Sequence, residues 1–187
     1  MVSVETPVCD FGAAIPGFEL PDTAGRLWTP QSARGEKGLL VMFICNHCPY
    51  VKAIRPRLVR DVRELMAMGM GAVAIMSNDP TQYEEDSPAN MAKVAAEFDF
   101  PFPYLLDADQ SVAKAFGAVC TPDFFGYNAD LTLQYRGRFD ASRKETAPED
   151  ARRDLFEGMR EVVETGKGPA EQIPSMGCSI KWIAENE

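Results

Sequence analysis

The chain of 187 residues is 45% hydrophobic and 25% charged, a balance that excludes disordered, collagen-like and low-complexity classes. Nineteen Lys and Arg against 28 Asp and Glu leave a formal charge of −9 at pH 7. A field of that sign repels phosphate backbones and anionic lipid, so the expected partners include neither nucleic acid nor membrane.

The longest apolar run, Leu39 to Cys45, spans seven residues, against roughly 20 for a membrane-crossing helix. Met1 to Leu20 show no basic region followed by an apolar one, so the reading is a protein without a secretory signal, working in the cytoplasm. No repeat, linker or charge block divides the chain, which predicts a single domain over residues 1–187.

Phe18 to Leu20 and Leu27 to Thr29 flank the turn-forming stretch Asp22-Thr23-Ala24-Gly25, predicting an N-terminal hairpin. Gly38 to Ile44 is apolar throughout after its glycine, the pattern of a strand buried on both faces. Val51, Ile54, Leu58, Val62 and Leu65 then recur every three or four residues, marking an amphipathic helix. Pro49 fits the first turn of that helix, whereas Pro56 predicts a kink.

Ala72 to Met76 reads as a second buried strand, parallel to the first, followed by the polar segment Ser77-Asn78-Asp79-Pro80. Ser87-Pro88 starts a helix with Met91, Val94, Ala95 and Phe98 inward. A short strand Tyr104 to Leu106, a helix Gln110 to Phe116 closed by Gly117, and an antiparallel pair, Asp123 to Tyr127 with Leu131 to Tyr135, follow. A last helix after Pro148 stops at Gly166, and residues 167–187 read as an irregular tail. The sum is an α/β fold: a mixed central sheet with helices on both faces and an N-terminal β-hairpin extension. Its strand ends gather Cys45, Cys48 and the Ser77-Asn78-Asp79 segment at one edge.

Five cysteines, Cys9, Cys45, Cys48, Cys120 and Cys178, form one close pair only. A lone Cys-x-x-Cys in a reducing compartment points to redox chemistry or metal rather than to a disulfide scaffold. At the start of a helix, unpaired N–H groups and the helix dipole favour a thiolate. Cys45, as the more exposed member, is the expected nucleophile, and Cys48 the resolving thiol. His47, the sole histidine, would stabilise the thiolate if protonated and make the disulfide more oxidising. Structural zinc sites use two such pairs, or one pair with separated histidines; the sequence offers neither, and no metal is expected. Nor is an organic cofactor, since the dithiol itself holds the electrons. Cys120 reads as core packing, Cys9 as incidental in a mobile N-terminus, and Cys178 as structural or as a third redox thiol partnering Cys48.

Gly17-Phe18-Glu19-Leu20-Pro21-Asp22, Phe43-Ile44-Cys45-Asn46-His47-Cys48-Pro49-Tyr50-Val51-Lys52 and the tail Gly177 to Trp182 together resemble the peroxiredoxin-like (AhpC/TSA, redoxin) branch of the thioredoxin superfamily. Within it they resemble a little-characterised bacterial subfamily. The resemblance implies a thioredoxin-like fold and a cis-proline opposite the cysteines, placed at Thr121-Pro122, where an extended substrate would bind. It also sets Asn46 beside the pair as an auxiliary residue. Two departures matter. The strand before the cysteines has no buried acid, leaving Asp79 as the stand-in base. In the peroxidase motif Pro-x-x-x-Thr-x-x-Cys, Cys48 takes the peroxidatic place, but Val41 and Cys45 replace the proline and threonine. The implied function is a thiol–disulfide oxidoreductase acting on protein or small-molecule disulfides with an unidentified electron donor. The alternative is a peroxiredoxin-like peroxidase acting on peroxide, and a metal-binding thioredoxin-fold protein stands third.

Overall fold

A computed structural model describes residues 2–184. Met1 and residues 185–187, the two ends of the expected domain, lie outside the described residues. The chain order is β1 (Ser3–Glu5), β2 (Leu20–Pro21), β3 (Leu27–Trp28), α1 (Pro30–Ala33), β4 (Gly38–Phe43), α2 (Pro49–Ala67), β5 (Met70–Met76) and α3 (Pro88–Glu97). There follow β6 (Tyr104–Leu106), α4 (Ser111–Phe116), β7 (Cys120–Thr121), β8 (Asp123–Asn128), β9 (Leu133–Tyr135), α5 (Asp154–Thr165) and β10 (Met176–Ser179). A single 3₁₀ turn, Glu84–Asp86, precedes α3.

The centre is a mixed sheet. β8 pairs antiparallel with β4 on one side and β9 on the other, and β5 pairs parallel with β6. The Ile44 N–H, just past β4, donates to Ile75 O of β5 at 3.0 Å. Alternation along β4 and β5 divides the core. Leu40, Met42, Ile44, Ala72, Ala74 and Met76 face one layer with Val51, Leu58, Leu155 and Met159 of α2 and α5. Leu39, Val41, Phe43, Val73 and Ile75 face the other, with Ala33, Val112 and Phe116 of α1 and α4. Strands buried on both faces read as unbroken apolar runs for this reason.

The hairpin forms as β2 and β3, with Leu20 opposite Trp28. Helix α2 runs unbroken through Pro56 from its N1 proline, Pro49, so the expected kink does not interrupt it. The last helix begins at Asp154, several residues after Pro148, and is closed by Gly166 at φ 76°. The main difference lies in the tail. Residues 176–179 are a strand rather than irregular chain, with β10 inserted between β1 and β7. It sets Cys178 opposite both Ser3 and Thr121. Lys181 extends the attachment: its N–H donates to Asn78 Oδ1 and its carbonyl accepts from Asp79 N. Among the described residues no helix is long and apolar enough to cross a membrane.

Candidate active site

The loop from Ile44 to Cys48 leaves the C-terminal end of β4 and turns at once into α2, of which Cys48 is the N-cap residue. Opposite it, the Thr121-Pro122 peptide is cis, as the resemblance implies, and Thr121 faces both sulfurs. Its Oγ1 lies 3.3 Å from Cys45 Sγ, and its carbonyl oxygen 3.1 Å from Cys48 Sγ. From the third side β10 brings Cys178, whose Sγ is 3.1 Å from Cys48 Sγ. The sequence-predicted residues Cys45, His47, Cys48, Thr121 and Pro122 do converge, and Cys178 joins them as a direct neighbour of Cys48.

The two cysteines are both buried, Cys45 at 1% accessible and Cys48 at 0%, so exposure does not separate them; the electrostatics do. Burial, the hydrogen bond it donates to Cys48 and the nearby negative charge of Asp86 all raise the Cys45 thiol well above its ordinary value. Cys48 shifts the opposite way. Hydrogen bonds from Cys178 and Cys45 are the main cause and outweigh the cost of burial, with Thr121 and the Val51 N–H of the first helical turn adding to them. The sulfur makes no close cap hydrogen bond; its neighbours, more than the helix end, favour its charge. The Thr121 carbonyl opposes this by accepting from the thiol form, one acceptor against several donors. Of the pair, Cys48 is the thiol pushed down and so the one that favours negative charge, and the same contact raises Cys178.

The acid that the strand before the cysteines lacks comes from elsewhere. Asp86, fully buried in the 3₁₀ turn, accepts from His47 Nδ1 at 2.6 Å, Asn46 N at 2.8 Å, Asn78 Nδ2 at 3.1 Å and His47 N at 3.2 Å. Burial alone would raise its carboxyl, but the hydrogen bond and charge of His47, helped by Asn78 and Asn46, hold it below the ordinary value. Its ionisation puts the proton on His47 Nδ1, which also lies 3.6 Å from Cys45 Sγ. Tyr83 stacks flat on the imidazole at 3.8 Å between centroids, and Nε2 is buried without a hydrogen-bond partner.

Asp79 does not take the role of base expected for it. Its carboxylate bonds to Thr81 N, Thr81 Oγ1 and Gln82 at the surface. Asn46 is a scaffold residue: Nδ2 donates to Glu85 O, Oδ1 accepts from the Tyr104 hydroxyl, and its carbonyl accepts from the buried Arg55. It ties the cysteine loop to the turn that carries Asp86. Cys120 is buried and donates to Pro122 O, and burial raises its thiol, as expected of a packing cysteine. Cys9 is not in loose chain; it packs beside Ala13 and Ile15 on the second core layer, and burial pushes it up to about 11.

Cys45, His47 and Asp86 bring their ligand atoms within 4.8 Å of one another, a contact set the sequence spacing does not show. The His47–Asp86 separation of 2.6 Å is a hydrogen bond, and Asp86 already accepts four donors. The cluster is thus satisfied as a network. Beside Pro122 a cleft of about 70 Å³ is lined by Tyr50, Phe139, Arg143 and Met176.

A mixed sheet between helices, with a Cys-x-x-Cys at the start of a helix facing a cis-proline, defines a thioredoxin-like protein. More particularly, the sequence model of the AhpC/TSA family matches residues 11–139, and the chain belongs to that family. Among solved structures it is similar to an uncharacterized conserved protein from Geobacillus kaustophilus, with 42% identity, TM-score 0.92 and 98% of each chain covered. A hypothetical protein from Sinorhizobium meliloti 1021 shares 37% identity at TM-score 0.88, over 96% of this chain and 98% of that one. At 19% identity, a secreted disulfide oxidoreductase from Mycobacterium tuberculosis shares the fold, with TM-score 0.56 over 71% of this chain and 89% of that one. No curated protein sequence matches this chain.

Proposed function

We propose that the protein is a thiol–disulfide oxidoreductase whose working groups are Cys45 and Cys48. The observation that carries this reading is the setting of Cys48: its sulfur is hydrogen-bonded with Cys178 at 3.1 Å, its thiol is held low by that contact and by Cys45, and it stands opposite the cis Thr121-Pro122 peptide. In the reductive direction the Cys48 thiolate attacks a substrate disulfide, forming a mixed disulfide and expelling one substrate thiolate. The Cys45 thiol gives up its proton and attacks the Cys48 sulfur. That step releases the second substrate thiol and leaves Cys45–Cys48 oxidised. The roles are thus exchanged relative to those expected from the order of the pair. His47 and Asp86 position the loop and set the charge that Cys45 meets. Thr121 and Pro122, covered by β10, hold the two sulfurs in place, and an extended substrate reaches this backbone only where β10 gives way. An electron donor in a reducing cytoplasm would regenerate the dithiol.

The experiment is equilibration of the protein with glutathione redox buffers, followed by alkylation and mass measurement, alongside an insulin-reduction assay. The reading expects one reversible disulfide at Cys45–Cys48 and loss of insulin reduction in Cys48→Ser. Insulin reduction at the wild-type rate by Cys48→Ser would refute it.

A second reading, peroxide reduction, is favoured by one specific observation: both sulfurs are at most 1% accessible, so a two-atom oxidant reaches them more readily than a protein disulfide. Cys48 thiolate would attack peroxide, giving a sulfenic acid and hydroxide, and a neighbouring thiol would condense with it and release water. Rapid trapping of a Cys48 sulfenate by dimedone would select this reading. Oxidation no faster than that of cysteine in solution would remove it.

A further inference from the structure

We propose that Cys178 is a reacting thiol and that the site closes either of two disulfides on one shared sulfur, Cys45–Cys48 or Cys48–Cys178. The proposal rests on the dithiol reading above and extends it to a third cysteine, 130 residues away in sequence. Cys48 Sγ is 3.1 Å from Cys178 Sγ and is also hydrogen-bonded with Cys45, while Thr121 touches the sulfurs of both Cys45 and Cys48. Among the described residues the only trio of His, Cys, Asp or Glu with all ligand atoms within 4.8 Å is Cys45, His47 and Asp86. The three sulfurs are therefore not all within that distance of one another, and Cys48–Cys178 at 3.1 Å is the close contact. One sulfur in contact with two other thiols is what exchange through a common atom requires.

The placement is built into the fold. Cys178 lies opposite Thr121 in the β10–β7 register and opposite Ser3 in β1, and Thr121 is the residue that touches both other sulfurs. Gly177 makes the approach feasible: a Cβ there would lie 2.2 Å from Thr121 O and 3.0 Å from Pro122 N. The S–S distance must shorten by only about 1 Å to reach a covalent bond.

With glutathione disulfide as oxidant, Cys48 thiolate attacks one glutathione sulfur and expels the other glutathione as thiolate. Cys178 then loses its proton to that thiolate and attacks the Cys48 sulfur, releasing the second glutathione. Two protein thiols become one disulfide and one glutathione disulfide becomes two thiols. Cys45, attacking Cys48 in turn, moves the bond to Cys45–Cys48 and returns Cys178 to the thiol. The disulfide Cys48–Cys178 staples strand β10 to the head of α2, whereas Cys45–Cys48 leaves the strand attached by hydrogen bonds alone.

Trypsin separates the alternatives, because Cys45 and Cys48 fall in one peptide, residues 38–52, and Cys178 in another, residues 168–181. Cys45→Ser, oxidised with glutathione disulfide, alkylated and digested without reductant, should give the cross-linked pair of peptides as its main product. Cys178→Ser treated alike should give the internal Cys45–Cys48 loop. Formation of the loop in Cys178→Ser, with Cys45→Ser halted as a glutathione adduct at Cys48 and Cys178 fully alkylated, would overturn this proposal and leave the dithiol reading standing. Failure of the Cys45–Cys48 disulfide to form in Cys178→Ser would refute the dithiol reading itself. Should Cys45→Ser not fold, wild-type protein poised across glutathione ratios gives the answer, and absence of the cross-linked pair at every ratio overturns the proposal.

Discussion

Asp86 Oδ2 lies 2.6 Å from His47 Nδ1, while Oδ1 of the same carboxylate takes the Asn46 and His47 backbone N–H groups. One buried acid therefore fixes the imidazole and the chain on which both cysteines are carried. Asp86→Asn keeps an acceptor but replaces the other oxygen with an NH₂, which opposes two of the donors. The expected cost is about 1–3 kcal/mol of stability, measured as a lower urea midpoint at pH 7. The pH sign follows from the lowered carboxyl. Its stabilisation is fully present above the ordinary value of 3.8 and is lost as pH falls through the depressed native value. The gap between wild type and variant should thus narrow in acid; a gap that widens there contradicts the assignment.

Of the two active-site thiols, Cys48 is the one its surroundings push down and Cys45 the one they push up. Absorbance at 240 nm, titrated downward from pH 8, should show a thiolate band in wild type and in Cys45→Ser, and none in Cys48→Ser. Cys178→Ala takes away the largest of the influences that lower Cys48, so its band should disappear at a higher pH than in wild type. Alkylation by iodoacetamide at pH 6 should follow the same order. A band that persists in Cys48→Ser and vanishes in Cys45→Ser would restore the charge to the first cysteine.

Much of this was legible in the chain. The unbroken run Leu39 to Ile44 and the three- and four-residue stripe from Val51 to Leu65 announce strand and helix because burial on two faces or on one leaves different periods. Thr121-Pro122 was found through resemblance. Asp86 was not found, because it reaches the loop from a turn 39 residues beyond His47 and carries no motif. The one cue was the acidic Glu84-Glu85-Asp86 before the Ser87-Pro88 helix start. The strand Met176–Ser179 was missed for a similar reason. Two of its residues, Gly177 and Ser179, have no strand preference of their own. Its form is imposed by backbone partners on both sides, Ser3–Glu5 and Cys120–Thr121, both distant from it in sequence.

Gly177 offers a direct test of that strand. A methyl there would meet the backbone of Thr121, which has no flexible end to yield, so β10 must lift away from β7. Gly177→Ala should cost about 1–3 kcal/mol, as overpacking of a close contact does. It should also separate Cys178 from Cys48 and slow formation of their disulfide in a Cys45→Ser background. Gly25→Ala serves as the control: it lies in an open turn with nothing within 4 Å, so its cost is backbone strain at φ +83° and its thiol chemistry should be unchanged. Equal effects of both variants on the cross-link would count against the strand contact.

Asp123 follows directly after the cis-proline and is buried against Arg136, Nη2 to Oδ2 at 3.0 Å. Burial outweighs the guanidinium and the Val119 and Phe124 N–H groups, and raises its carboxyl to about 6. The native state therefore binds a proton between about 6 and the ordinary 3.8 that the unfolded chain has already released. Stability from this group is present at pH 4 and declines as pH rises through that window, levelling off above it. Over the whole span the change is at most about 3 kcal/mol. In Asp123→Asn the slope is absent, whatever constant offset results from giving Arg136 a neutral amide in place of the carboxyl. Other carboxylates titrate alike in both proteins, so the wild-type-minus-variant difference in unfolding free energy isolates Asp123. That difference should fall between pH 4 and 6 and stay flat from 6.5 to 8; a difference that rises across the lower window would mean that Arg136 controls the pair and keeps Asp123 ionised.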